Sequence, residues 1–298
     1  MYKNLLDNSN LLQKHDFESM YKYELSILEN IKNKRQQTSR HAADNQFFIP
    51  AGRSFFANIH SNIFSFISSG IKLDPYLVEF GKIYETYFKR GLGFNDNRPH
   101  PVINKIFEQI LCGKYIDIDG EEFIELADKR RIKLPYSSTG QQETLPLILI
   151  LSILSSYNDF FAGQTFYIEE PEAHIFPVAQ KQIVELITAV FNITKKSQFF
   201  ITTHSPYILT SFNNLLQAGN IFYNTKDNSR KEAVKKIITE EKILKPGEVN
   251  AYYISPGGSA ENIIDPETGL IYADKIDKVS DELAMKFDDL LDIAEDGE

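Results

Sequence analysis

The chain has 298 residues, 42% of them hydrophobic and 24% charged, enough apolar material to bury a core without disulfides or metal staples. Its one cysteine, Cys112, cannot bridge internally, and no basic stretch with an apolar run and a small-residue cleavage site opens the sequence, so a cytoplasmic protein is expected. The longest apolar run, Leu145 to Leu154, is broken by Pro146 and Ser152 and falls short of the ~20 residues a bilayer crossing needs, and residues 272–298 hold −7 of the −9 formal charge, leaving no global basic field for nucleic acid.

Along the chain, Phe17, Met20, Leu25, Leu28 and Ile31 recur at helical spacing and predict an amphipathic helix over 15–37. Phe47-Phe48-Ile49 reads as a buried strand stopped by Pro50, and Ser54 to Ser69 returns to the helical period. Pro75 and Pro101 sit where first-turn prolines belong, opening helices that run to Arg90 and to near Gly113. In this helical block Phe55, Phe56, Phe64, Phe66, Tyr84, Tyr87 and Phe88 are expected in a core rather than as base-stacking platforms.

Short runs at Tyr115 to Ile118, Phe123 to Leu126 and Arg131 to Leu134, with Asp119-Gly120 between the first two, predict a hairpin or meander. From Ser137 a helix to Tyr157 is followed by a strand at Thr165 to Ile168, a helix at Val178 to Phe191 and a strand at Phe199 to Thr202. Such alternation places parallel strands under covering helices and ligands beyond the carboxyl ends of the strands. The fold class is therefore α/β with a mostly parallel sheet. Thr225 to Lys231 reads as an exposed loop, and Tyr252-Tyr253-Ile254 with an amphipathic helix bearing Leu283, Phe287, Leu290 and Leu291 is expected to pack at the edge of the core.

Three segments carry chemistry. Glu169-Glu170-Pro171-Glu172-Ala173-His174 follows an apolar strand; one carboxylate of such a pair can hold hydrated Mg²⁺ while its neighbour orients or deprotonates a water, and the plainer reading is a solvated acidic turn. Thr202-Thr203-His204-Ser205-Pro206 ends the next strand, where a histidine can bond a phosphate oxygen or serve as a structural hydrogen-bonding residue. Ser137-Ser138-Thr139-Gly140-Gln141-Gln142-Glu143 opens a helix whose first N–H groups can face a phosphate, or which has an ordinary cap at Ser137 or Ser138. Arg53, just after a strand and beside Gly52, could reach phosphate or an interface carboxylate, or form a structural salt bridge.

In order and spacing these segments resemble the heads of ABC-class ATPases, and more closely the branch with the SMC, RecF and OLD-type ATPases, where signature motif, Walker B glutamates, D-loop and switch histidine follow in this order. The segment Ile49-Pro50-Ala51-Gly52-Arg53 is similar to a feature of bacterial OLD-like, AAA-type ATP-binding proteins. The likeness is closest over residues 136–224. It implies one incomplete P-loop NTPase head of ABC type over residues 1–298, with a helical subdomain at 53–113, a motif-bearing core at 136–224 and an extension at 225–298. It further implies ATP and Mg²⁺ as ligands, with Glu169 positioning the metal, Glu170 as the catalytic glutamate and His204 near the γ-phosphate. Ser138, Gly140 and Gln141 would contact nucleotide bound by the opposite subunit of a homodimer, with Ala173 to Phe176 as the D-loop at the same interface. Two positions depart from the pattern: Glu169 stands where Asp is commoner, and Thr139 replaces the first signature glycine.

No Gly-x-x-x-x-Gly-Lys-Ser/Thr occurs in the sequence; Gly81-Lys82 and Gly113-Lys114 are followed by Ile and Tyr. Because that loop lies upstream of all the other motifs in the resembled family, the expectation is a carboxyl-terminal portion of an ATPase whose phosphate cradle is supplied elsewhere. The expected activity is ATP hydrolysis at a dimer interface, driving DNA-related or phage-defence machinery with a P-loop-bearing fragment or a nuclease effector as partner. The alternative is a noncatalytic regulatory or assembly module that does not hydrolyse ATP alone. A third reading groups Glu169, Glu170, Glu172, His174 and His204 as a metal-hydrolase cluster, although their spacing fits no zinc or facial-triad pattern. The basic run Lys129, Arg130, Arg131 and Lys133 leaves nucleic acid open as a partner.

Overall fold

The computed structural model describes residues 45–59, 74–89, 100–118, 120–156, 164–194, 197–272 and 274–295. The elements run β1 (Asn45–Ile49), α1 (Ser54–Ile59), α2 (Pro75–Lys89), α3 (Pro101–Leu111), β2 (Lys114–Ile118), β3 (Glu121–Glu125), β4 (Arg131–Lys133), α4 (Thr139–Ser156), β5 (Gln164–Glu169), α5 (Pro177–Thr194), β6 (Ser197–Thr202), α6 (Pro206–Asn224), α7 (Asn228–Ile237), β7 (Tyr252–Ile254), β8 (Ala260–Asn262) and α8 (Asp274–Glu295).

The apolar runs NQFFI, QTFYIE and SQFFIT are short, aromatic and β-branched, and they pair as a parallel sheet in the order β1-β5-β6. The register aligns Phe47, Phe166 and Phe199 across the three strands. Their rings stack with centroids 5.4 and 4.9 Å apart, and with Ile49, Ile168 and Ile201 they form the face turned to the core. Helix α4 shares this core, and its middle is apolar all round: Leu145 and the run Leu147 to Leu151 are buried, as befits a helix enclosed by protein. Parallel strands with covering helices make this an α/β fold consistent with P-loop NTPases.

The helices α1, α2 and α3 feed the same core. Phe56 and Tyr84 are buried and Phe55 is packed against them, as expected for core aromatics. The predicted helix over 15–37, the stretch 60–69 with Phe64 and Phe66, and the side chains of Tyr87 and Phe88 lie outside the described residues. Strands β2, β3 and β4 form the expected antiparallel meander. On it every side chain of the basic run has an acidic neighbour, Lys129 and Arg131 at Glu125, Arg130 at Asp128 and Lys133 at Glu121, all within 3.3 Å, so the run presents paired charge rather than bare positive charge.

A second cluster, Val184 of α5 with Ile208, Leu209, Leu215 and Leu216 of α6, is closed by Leu244, Ile263 and Ile271. There Gly219 lets α6 meet the chain around Leu244, because a methyl group on it would overlap the Leu244 carbonyl oxygen. Gly219→Ala is expected to cost about 2 kcal/mol through overpacking, read in thermal unfolding as a midpoint lowered by several degrees.

Two expectations need correction. The stretch 225–231 is exposed but not all loop: the Asp227 carboxylate accepts from the Ser229 N–H at 2.8 Å and caps α7, so residues 228–231 open a helix burying only Val234. Helix α8 forms, yet Leu283, Phe287 and Leu290 are 60%, 62% and 64% exposed rather than packed. Among the described residues the second cluster ends in sequence at Ile271, ahead of the helix, and takes no member from it. Among the described residues no helix is long and apolar enough to cross a membrane.

Candidate active site at the strand ends

Because β1, β5 and β6 are parallel and in register, their carboxyl ends deliver Pro50 to Arg53, Glu169-Glu170 and Thr202 to His204 to one edge of the sheet. The Glu170 N–H donates to the Thr202 carbonyl at 3.0 Å, extending the ladder by one residue. Glu170 sits at φ +39°, a left-handed conformation that a glutamate seldom adopts. The turn lifts its side chain out of the sheet, and His204 Nε2 stands 3.8 Å from Glu170 Oε1. That spacing is too long for a direct hydrogen bond and short enough for both groups to address one shared oxygen. Both remain accessible, with the imidazole 89% and the carboxylate 46% exposed. Beside them the Ala51 N–H donates to Glu169 Oε2 at 3.3 Å, a long bond that leaves the carboxylate able to hold a metal-bound water.

The segment behind this pair is fixed by Glu172, which stands in the acidic segment after β5 and has a role of its own in the metal-cluster alternative. Glu172 Oε1 accepts from Thr203 Oγ1 and from the His204 N–H, both at 2.7 Å, which joins the turn after β5 to the turn after β6. Ser205 then caps α6 by accepting from the Tyr207 N–H, and its hydroxyl meets Gln180 Oε1 at 2.5 Å. The main chain of His204 is thus anchored while its ring is left in solvent. Glu172→Ala strips both donors of their shared acceptor; the expected loss is about 2 kcal/mol, measured by thermal unfolding, with faster amide exchange at His204.

The predicted signature residues form a second group, at the start of α4. Ser138 is the N-cap: its N–H and hydroxyl both donate to Gln141 Oε1 at 3.1 Å, and its hydroxyl accepts from the Gln141 N–H at 3.3 Å, a capping box. Gln141 Nε2 also donates to the Leu111 carbonyl at 2.7 Å. The capping alternative is therefore realised for these two side chains. Gly140 does something else: a Cβ there would stand 3.0 Å from the His174 carbonyl and 3.2 Å from Ile175 Cγ2, so the missing side chain lets α4 abut the turn after Glu170.

Between the two groups lies Arg53, fully buried. Its Nε donates to the Glu143 carbonyl at 3.2 Å, Nη1 to the carbonyls of Pro50 and Glu169 at 2.6 and 2.9 Å, and Nη2 to the Glu170 carbonyl at 3.1 Å. The salt bridge anticipated for it is to Glu143, 3.4 Å from Nη2. The Glu143 carboxylate in turn accepts the N–H groups of Arg53 and Ser54 at 2.8 and 2.7 Å. Burial lowers the guanidinium pKa, opposed first by Glu143 and then by Glu172, Glu169 and Glu170.

Among the described residues no three or more of His, Cys, Asp and Glu stand together as a metal cage, and Glu172 of the proposed hydrolase cluster is committed to Thr203 and His204. What is assembled suits Mg²⁺, which needs only one or two carboxylates and takes its other ligands from water and phosphate. The family model of the AAA ATPase domain matches residues 3–209, more than half of the chain and all three motif segments. No curated protein matches this chain.

Proposed function

We propose a function from one premise: the chain belongs to the AAA ATPase domain family. Membership brings ATP binding and hydrolysis as the general activity. Within it, this chain is read as part of an ABC-type, OLD-like head that hydrolyses ATP by in-line attack of water. The observation that carries the reading is the 3.8 Å approach of Glu170 to His204 at the carboxyl ends of adjacent parallel strands.

Glu170 accepts the proton of the attacking water and orients it, and His204 donates to an oxygen of the γ-phosphate. Glu169 is the carboxylate to hold hydrated Mg²⁺, which supplies charge neutralisation on the phosphates when bound. Ser138, Gly140 and Gln141 complete the site of a second copy across a homodimer face. Three exposed aromatics adjoin the motif segments and support such a face: Tyr136 before the signature, Phe176 after Glu172 and Tyr207 after His204. The resemblance to OLD-like ATPases adds DNA maintenance or phage defence as the setting, with a nuclease effector.

A second reading, an assembly or regulatory module that hydrolyses nothing alone, is favoured by one fact, the lack of a Gly-x-x-x-x-Gly-Lys-Ser/Thr loop in the 298 residues. Titrating Mg-ATP into the purified chain by calorimetry separates the two. Submillimolar affinity counts against the noncatalytic module, and no heat counts against autonomous activity.

A further inference from the structure

We propose that Arg53 is a positioning residue that sets the main chain of Glu169 and Glu170, and through it the direction in which the two carboxylates point. The inference rests on the ATPase reading for its consequence and on geometry for its substance. Glu169 is the last residue of β5 in register with β6 and Glu170 follows it, and both carbonyls are part-buried where the strand ends, so they need donors. Arg53 supplies both, at 2.9 and 3.1 Å, from two different nitrogens of one planar group. Two peptide planes are thereby held relative to each other, one on each side of the Glu170 Cα.

That Cα is the one at φ +39°. A left-handed glutamate persists only where its surroundings over-determine it, and here three bonds do so: Nη2 of Arg53 and the Ala173 N–H on the Glu170 carbonyl, and the Glu170 N–H on Thr202. Release of the fork lets the peptide turn, Glu170 relax toward ordinary backbone, and its carboxylate swing from His204. Lysine cannot substitute, since one ammonium is a point donor and cannot span two carbonyls and a carboxylate. Glu143 fixes the other end of the device, because it holds the guanidinium and the N–H groups of Arg53 and Ser54 from one buried position on α4.

The test is Arg53→Lys in the full chain, read by hydrogen–deuterium exchange and by steady-state kinetics. Exchange at the Glu170 and Ala173 amides should rise at least tenfold while Phe166 to Ile168 of β5 keep wild-type protection, and kcat for ATP should fall about tenfold at unchanged KM. Unchanged exchange at 170–173 overturns the proposal. So does a loss of protection spread evenly over the chain, which marks a purely structural arginine, or a change confined to KM. If Arg53→Lys does not fold, Glu143→Gln, which loosens the guanidinium without removing it, should give the same local pattern at smaller amplitude, and its absence overturns the proposal equally. A wild-type chain that turns over no ATP defeats the functional reading alone; the exchange arm still decides what Arg53 does.

Discussion

Arg53→Ala is expected to destabilise the chain by about 3–5 kcal/mol, the range for breaking a buried ion pair from one side. The loss is large because Glu143 is as fully buried as Arg53 and would keep its charge with only two backbone N–H groups to face. Four carbonyl oxygens, those of Pro50, Glu143, Glu169 and Glu170, would lose a donor in the same step. For a chain of this length the midpoint of thermal unfolding should fall by ~10 °C, measured by circular dichroism at fixed pH. Removing both charges together, as Arg53→Met with Glu143→Leu, should recover part of the loss, because no lone charge is left inside. A shift of a degree or two for the single variant would mean that water reaches the pair.

Glu170→Gln is the corresponding change for activity. The amide keeps the size of the side chain and leaves the turn at Glu170 undisturbed, but it cannot take a proton from water. Loss of a general base lowers turnover by about 10²- to 10⁴-fold, to be measured as phosphate release at saturating Mg-ATP. Binding of ATP and ATP-driven dimerisation, followed by light scattering, should persist, since neither requires proton transfer. Unchanged turnover would remove Glu170 from the role of base.

The strands and helices that carry the motifs were legible because each is a local pattern. Apolar runs of the right length gave β5 and β6 to within two residues at each end, and their alternation with helices gave parallel pairing. The position of β1 beside β5 was not legible, because pairing across 119 residues leaves no local mark. The same holds for Glu143 and Glu172. Glu143 read as the end of a helix-opening polar run, and only the fold brings it to a residue 90 positions earlier. Glu172 acts by reaching 31 residues forward to Thr203. Arg53 was singled out for its place after a strand, but its four carbonyl partners are main-chain atoms, which carry no residue type to read. Helix α7 was missed because its solvent faces are so polar that one buried side chain, Val234, is its whole apolar stripe.

The closing of the second cluster at Ile271 separates stability from colloidal behaviour. A chain shortened to Tyr272 keeps every described residue of both cores and should melt near the wild-type temperature. It also sheds −7 of the −9 formal charge, so its isoelectric point moves toward neutrality and mutual repulsion between molecules nearly vanishes. The shortened protein should salt out and precipitate near neutral pH under conditions that keep the longer one dispersed.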